Sequence, residues 1–192
     1  MEELDLGICR AQLFQGEHNR AALLLPGARY VPAAPLLWFT REVLQARKWT
    51  VLQVWDEWDR SDDPTQWVAD RLEAGLTHLG DHLAPLLVAK SLSTLALPEA
   101  IERGLSGIWL TPLLAQAAVR SALTENLPPS LVVGGTGDPT WDSEFVAQLA
   151  TVEVLEIEGA DHGLQFPGEP HRSLDALKII TDRTGQFVDQ FI

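Results

Sequence analysis

The chain has 192 residues, 46% hydrophobic and 21% charged, which supplies one packed core and excludes intrinsic disorder. Fourteen Lys and Arg against 27 Asp and Glu give a net charge of −13 at pH 7, a surface that repels phosphate backbones and anionic lipid. Neither nucleic acid nor a membrane is therefore expected as a partner. A single cysteine, Cys9, excludes a disulfide framework or a thiolate metal cluster within one chain. The acidic start Met1-Glu2-Glu3-Leu4-Asp5 has no basic segment leading an apolar one, and no apolar run approaches the ~20 residues of a membrane span. A cytoplasmic globular protein is expected.

Ala21–Leu25 is a short apolar run closed by the breaker Pro26-Gly27 and reads as a buried strand. Pro35–Lys48 follows, with Leu36, Leu37, Phe39, Val43 and Leu44 spaced for one helical face. Thr50–Trp55, β-branched and aromatic, is the next strand. Pro64–Leu79 is a second helix, with Pro64 suited to its first turn and Asp62 or Asp63 placed to cap it. Strands are then expected at Pro85–Ala89, Gly107–Leu110, Leu131–Gly134 and Val152–Ile157. Helices are expected at Gln116–Leu123 and Ser143–Ala150, and a last one from Ser173 to Ile192 interrupted near Gly185.

Residues 1–20 fit an edge hairpin or an arm. Repeated strand–helix alternation, with no linker to divide it, predicts a single α/β domain over residues 1–192. Its core is a mostly parallel sheet of about six strands with helices on both faces. Ligands of such sheets bind at the carboxyl ends of the strands, so the residues just after each strand carry the most information.

Three of these strand ends stand out. Ala89-Lys90-Ser91-Leu92-Ser93 takes a strand into a helix through a serine with small residues two before and two after it. That is a relaxed G-x-S-x-G turn, though a serine there also serves as a helix cap. Gly134-Gly135-Thr136-Gly137-Asp138-Pro139 turns sharply and leaves Asp138 at the sheet edge, with Asp142 as its rival. Its glycines match neither a dinucleotide nor a P-loop pattern, so no nucleotide cofactor is implied. Glu158-Gly159-Ala160-Asp161-His162-Gly163 follows the last strand. Asp161 is expected to shape this loop, and His171 is the alternative histidine. Serine, aspartate and histidine thus follow successive strands in the order of a nucleophile, an orienting acid and a base.

On these three segments the sequence resembles the alpha/beta-hydrolase family, from about Ala21 to the C-terminus. The acid and histidine segments resemble its small, lidless dienelactone-hydrolase-like and carboxylesterase-like members. The resemblance implies Ser91 as nucleophile, Asp138 as orienting acid and His162 as general base. It also implies the backbone N–H groups of Ala28 and Leu92 as oxyanion donors, and a minimal fold lacking some N-terminal strands. The stretch Thr111–Ser130 is too short for a large lid. The function implied is a serine hydrolase cleaving a small ester or thioester, without metal or cofactor. The alternative is a non-catalytic binding or scaffold protein of the same fold, favoured by Pro26 where many members have His and by an elbow without glycines.

Other features carry less. Trp55-Asp56-Glu57-Trp58-Asp59, with Asp62-Asp63 beyond, reads as an aromatic packing residue and a solvated capping loop. An acidic rim there would disfavour highly anionic substrates. Arg29 is placed to bind a substrate carboxylate or to pair with a surface acid, and Trp55 and Trp141 are candidate lining residues. His78 and His82 have the helical spacing of metal ligands, but Gly80 interrupts the helix and no third ligand is apparent. Lys90 is expected at the surface. Trp38, Trp49, Trp67 and Trp109 are expected in the core.

Overall fold

The computed structural model describes residues 1–80 and 85–191. Its eight strands are β1 (Glu2–Asp5), β2 (Arg10–Phe14), β3 (Glu17–Leu25), β4 (Trp49–Trp55), β5 (Leu86–Lys90), β6 (Gly107–Leu110), β7 (Ser130–Gly135) and β8 (Glu153–Ile157). They form one sheet in the order β1-β2-β4-β3-β5-β6-β7-β8. From β4 to β8 every pairing is parallel; β1 and β2 join antiparallel at one edge. The six helices are α1 (Pro35–Ala46), α2 (Pro64–Leu79), α3 (Leu97–Glu102), α4 (Ala117–Leu123), α5 (Ser143–Val146) and α6 (Pro170–Val188). Short 3-10 turns cover Ser91–Ala96 and Asp189–Phe191.

Both faces of the central strands are covered, which is why those strands read as continuous apolar runs. Leu87, Ala89, Trp109 and Val132 point to one side, where α2 to α5 pack through Trp67, Leu72, Leu97, Val119 and Phe145. Leu86, Val88, Ile108, Leu110, Leu131 and Val133 point to the other, against Leu37 and Leu44 of α1 and Ala176, Ile180 and Phe187 of α6. The chain thereby lays the turns after β3, β4, β5, β6, β7 and β8 along one edge of the sheet. Asp63 caps α2, accepting hydrogen bonds from the N–H groups of Thr65 and Gln66, and Pro64 opens its first turn.

The expected fold class holds, with eight strands rather than about six. The two extra strands are the N-terminal hairpin, so the chain does not lack those strands as the family resemblance implied. β1 is too short and exposed to show an apolar face, and in β2 only Ala11 and Leu13 turn inward. Gly185 does not interrupt the last helix. α6 runs through it because the missing side chain admits the Arg47 guanidinium, which pairs with Asp189 and ties α6 to α1. Trp49, Trp67 and Trp109 are core residues, but Trp38 is 38% exposed on α1, stacked edge-on against Phe39. No helix among the described residues is long and apolar enough to cross a membrane.

Candidate active site

Ser91, Asp138 and His162 come from the ends of β5, β7 and β8 and meet in one hydrogen-bonded line. The Ser91 Oγ lies 2.7 Å from His162 Nε2, and His162 Nδ1 lies 2.5 Å from Asp138 Oδ2. With neutral His162 carrying its proton on Nδ1 towards the buried carboxylate, Nε2 is left to accept from the serine hydroxyl. Asp142, the rival acid, is elsewhere: it caps α5 through the Phe145 N–H and pairs with Arg120 at 2.8 Å. His171 lies exposed in the first turn of α6.

Ser91 has φ +50°, a left-handed conformation that costs a non-glycine residue roughly 1–2 kcal/mol. The surroundings impose it. β5 ends at Lys90 and the 3-10 turn begins at Ser91, so the chain must reverse within one residue. Ser93 fastens the far side, its buried hydroxyl donating to the Pro26 carbonyl at 2.5 Å. The Thr94 hydroxyl donates to the Ser91 carbonyl at 2.6 Å and accepts from the Leu113 N–H. Strain of this kind, held by a surrounding network, marks positions where a side chain must project from the backbone.

The acid and histidine turns are in backbone contact. Gly135 and Gly137 permit it: a Cβ on Gly135 would lie 2.3 Å from the Ala160 oxygen, and one on Gly137 2.6 Å from the Gly159 oxygen. The Gly137 N–H donates to the Ala160 carbonyl at 2.9 Å. These glycines serve close approach of two loops. Within the pair, Thr140 donates both its N–H and its hydroxyl to Asp138 Oδ1, each at 2.8 Å. Burial alone would raise the Asp138 carboxyl, but the hydrogen bonds from His162 and Thr140 outweigh it and hold the carboxyl below its ordinary value. Asp161 shapes the loop, accepting from the N–H groups of Gly163 and Gln165.

Lys90 departs from its expected place at the surface. Only 1% exposed, its ammonium donates to the Thr111 hydroxyl and, at 2.9 Å, to the His162 carbonyl, and it lies 5.1 Å from the Tyr30 ring centre. It thereby ties the histidine loop to the end of β6. Burial pushes its pKa down to about 8, against the opposing pull of Asp138 and Asp161. The unfolded chain binds the Lys90 proton up to its ordinary 10.5, so stability gains with pH between about 8 and 10.5. Relative to Lys90→Met, the wild type is therefore expected to gain roughly 3 kcal/mol over that interval. Urea unfolding of both proteins at pH 7 and pH 10 checks this, and an unchanged difference contradicts it.

Ala28 N–H forms no hydrogen bond among the described residues, and Leu92 lies in the opening turn of the 3-10 segment, where N–H groups lack intrahelical acceptors. A cavity of about 300 Å³ lies over Ser91 and His162, lined by Gly27, Ala28, Arg29, Tyr30, Arg60, Lys90 and Gly163. A second, of about 420 Å³, lies beyond Gly163 and is lined mainly by apolar groups including Leu36, Leu164, Phe166 and Leu174.

Trp55 and Trp141 line neither cavity. Trp55 ends β4, paired with Arg10 of β2. Trp141 packs against Gly134 and donates to Glu156. The loop after β4 is solvated as expected, with Asp56 paired to Arg71 and Asp59 bonded to Ser61. Asp81 and His82 lie outside the described residues, and no metal-binding cluster occurs among the described ones. The Cys9 thiol is buried, which pushes it up to about 11, so it is a poor nucleophile.

Sequence reasoning read Ser93 only as a small elbow residue and Lys90 as a surface one, and it missed Thr94, Thr111, Thr140 and Arg60. Of these only Thr140 had a readable signal, an Asp-Pro-Thr step in which a threonine two residues on can bond back to the carboxylate.

The strand order, with helices on both faces of the sheet, matches a known architecture. This chain has the alpha/beta-hydrolase fold. It superposes on Est1E from Butyrivibrio proteoclasticus, solved with ferulic acid, with a TM-score of 0.75 and 14% identity over 99% of this chain and 98% of that one. Against dienelactone hydrolase from Anabaena variabilis the TM-score is 0.72, with 18% identity over 98% and 95%. XC6422 from Xanthomonas campestris, described as an a/b serine hydrolase without lid, gives 0.64 with 14% identity over 100% and 94%. No family model and no curated protein matches the sequence. The stretch between β6 and β7 holds one short helix, α4.

Proposed function

We propose that the protein is a serine hydrolase that cleaves a small ester or thioester through an acyl-enzyme on Ser91. The observation that carries this is the continuous hydrogen-bonded line from the Ser91 hydroxyl through His162 to Asp138, at the base of an open cavity.

Oγ of Ser91 attacks the acyl carbon while Nε2 of His162 takes its proton. The carbonyl π electrons move to oxygen, and that oxyanion is met by the N–H groups of Ala28 and Leu92. The Asp138 carboxylate stabilises the imidazolium. Collapse breaks the bond to the leaving alcohol or thiol, which takes the Nε2 proton and departs. Water then gives a proton to His162 and adds to the acyl carbon, and the second collapse returns the proton to Ser91 and releases the acid. The open, lidless cavity favours small or surface-presented acyl groups.

The non-catalytic alternative predicts none of this chemistry. Hydrolysis of 4-nitrophenyl butyrate tests the reading. The rate is expected to be lost in His162→Ala, which leaves the serine proton without an acceptor. A rate retained in His162→Ala contradicts the role of His162.

A further inference from the structure

The His162 imidazole is the most loosely enclosed member of the triad. Its side chain is 39% exposed, whereas the Asp138 side chain beside it is 1% exposed. Apart from Ser91 and Asp138, its polar neighbour is the Thr140 hydroxyl at 3.5 Å. Packing does not lock a ring this exposed, so its line depends on the backbone that carries it.

That backbone is fixed on either side of His162 by bonds within the loop. The Asp161 N–H donates to the Gln165 carbonyl, the Leu164 N–H donates to the Asp161 carbonyl, and the Asp161 carboxylate accepts from Gly163 and Gln165. The His162 N–H and carbonyl take part in none of these. Among the described residues, the hydrogen bond to the His162 main chain comes from the Lys90 ammonium, at 2.9 Å. Leu164 in the same loop is left-handed at φ +56°, so local preference alone does not set the loop's shape.

Lys90 is held at both ends. Its stem lies against the turn after β3, where a Cβ on Gly27 would come within 3.4 Å of the Lys90 Cγ. Its ammonium also donates to the Thr111 hydroxyl. Thr111 is left-handed at φ +46°, an outlier for a β-branched residue, and its N–H donates to the Val133 carbonyl at 2.7 Å. The groups that the ammonium reaches are a hydroxyl, a carbonyl and the Tyr30 ring, all neutral. An apolar side chain of similar length would fill this space without desolvating a charge. A cation kept there, directly before the nucleophile, serves the site rather than the fold.

Resting on the acyl-enzyme reading, we propose that Lys90 is a positioning residue for His162: its bond to the His162 carbonyl, braced by Thr111, holds the imidazole in line between Ser91 and Asp138. A charged donor suits this task, because charge-assisted hydrogen bonds are roughly twice as strong as neutral ones. Lys90 moves no proton and touches no substrate.

Lys90→Met removes the donor and keeps an unbranched stem. With 4-nitrophenyl butyrate at pH 7, kcat is expected to fall about 100-fold with KM little changed. The melting temperature is expected to hold or rise, because an uncharged stem replaces a buried charge. A merely structural lysine would give the reverse, a less stable protein with kcat per folded molecule retained. That result overturns the proposal.

A second readout does not depend on turnover. The Nδ1 proton between His162 and Asp138 is expected to give a far-downfield NMR resonance in the wild type, and Lys90→Met is expected to shift or broaden it. If the wild type shows the resonance but cleaves no ester, the serine hydrolase reading fails, and the positioning role is judged on the resonance alone. An identical resonance in both proteins overturns the proposal whether or not the ester is cleaved. So does its absence from the wild type, since no imidazole is then held on Asp138. Should Lys90→Met not fold, Lys90→Gln, whose amide ends one bond short of the ammonium position, replaces it in both comparisons.

Discussion

Ser91→Ala is expected to lower ester turnover by about 10⁴-fold or more while leaving the melting temperature unchanged. On the acyl-enzyme proposal the loss is large because the hydroxyl is the attacking group, and the remaining donors and the cavity would bind substrate without a nucleophile. The fold is spared because alanine meets the same left-handed backbone that serine already occupies, at φ +50°. A second variant separates the strain from the chemistry. Ser91→Gly should be equally inactive yet about 1 kcal/mol more stable than Ser91→Ala, since glycine adopts that conformation freely. Denaturant unfolding of the two variants measures this difference. Equal stability would mean that the surrounding network, not the serine conformation, bears the cost.

Asp138→Asn is expected to reduce kcat by about 10⁴-fold with little change in structure. The asparagine amide fits where the carboxylate was, still held by Thr140, but it no longer favours the proton on His162 Nδ1. Nor does it carry the charge that stabilises the imidazolium. Asp142→Asn should do neither. It weakens the start of α5 and the pairing with Arg120, so its effect appears as a modest loss of stability with turnover retained. Steady-state kinetics on both variants compares them directly. A larger loss from Asp142→Asn would reassign the acid.

What the sequence could and could not reveal follows from the range of the interactions. The inner strands were legible because burial on both faces makes them short apolar runs between breakers, as at Ala21–Leu25 and Leu131–Gly134. Chain order then placed Ser91, Asp138 and His162 at one sheet edge, since a parallel sheet puts all its strand ends of one kind together. β1 and β2 were legible only as an edge hairpin or an arm, because an exposed edge strand has little apolar patterning to read.

The hidden parts of the site are long-range contacts. Lys90 looks like a surface lysine until β6 and the histidine loop close over it, and its partners lie 21 and 72 residues away in the chain. Ser93 reads as a small elbow residue, and its bond to the Pro26 carbonyl spans 67 residues. Gly185 is similar. Its composition suggests a break, whereas the packed helix uses the missing side chain to admit Arg47 from α1. Arg60 gave no signal within its acidic loop, because which side chain of a loop faces a cavity is fixed only by the turn.

The most direct measurement is reaction of the protein with a fluorophosphonate probe, which phosphonylates only an activated serine, followed by mass spectrometry of the labelled peptide. The account predicts one adduct, on Ser91, that is lost in His162→Ala. No adduct on folded protein, or an adduct on another serine that survives His162→Ala, would contradict it.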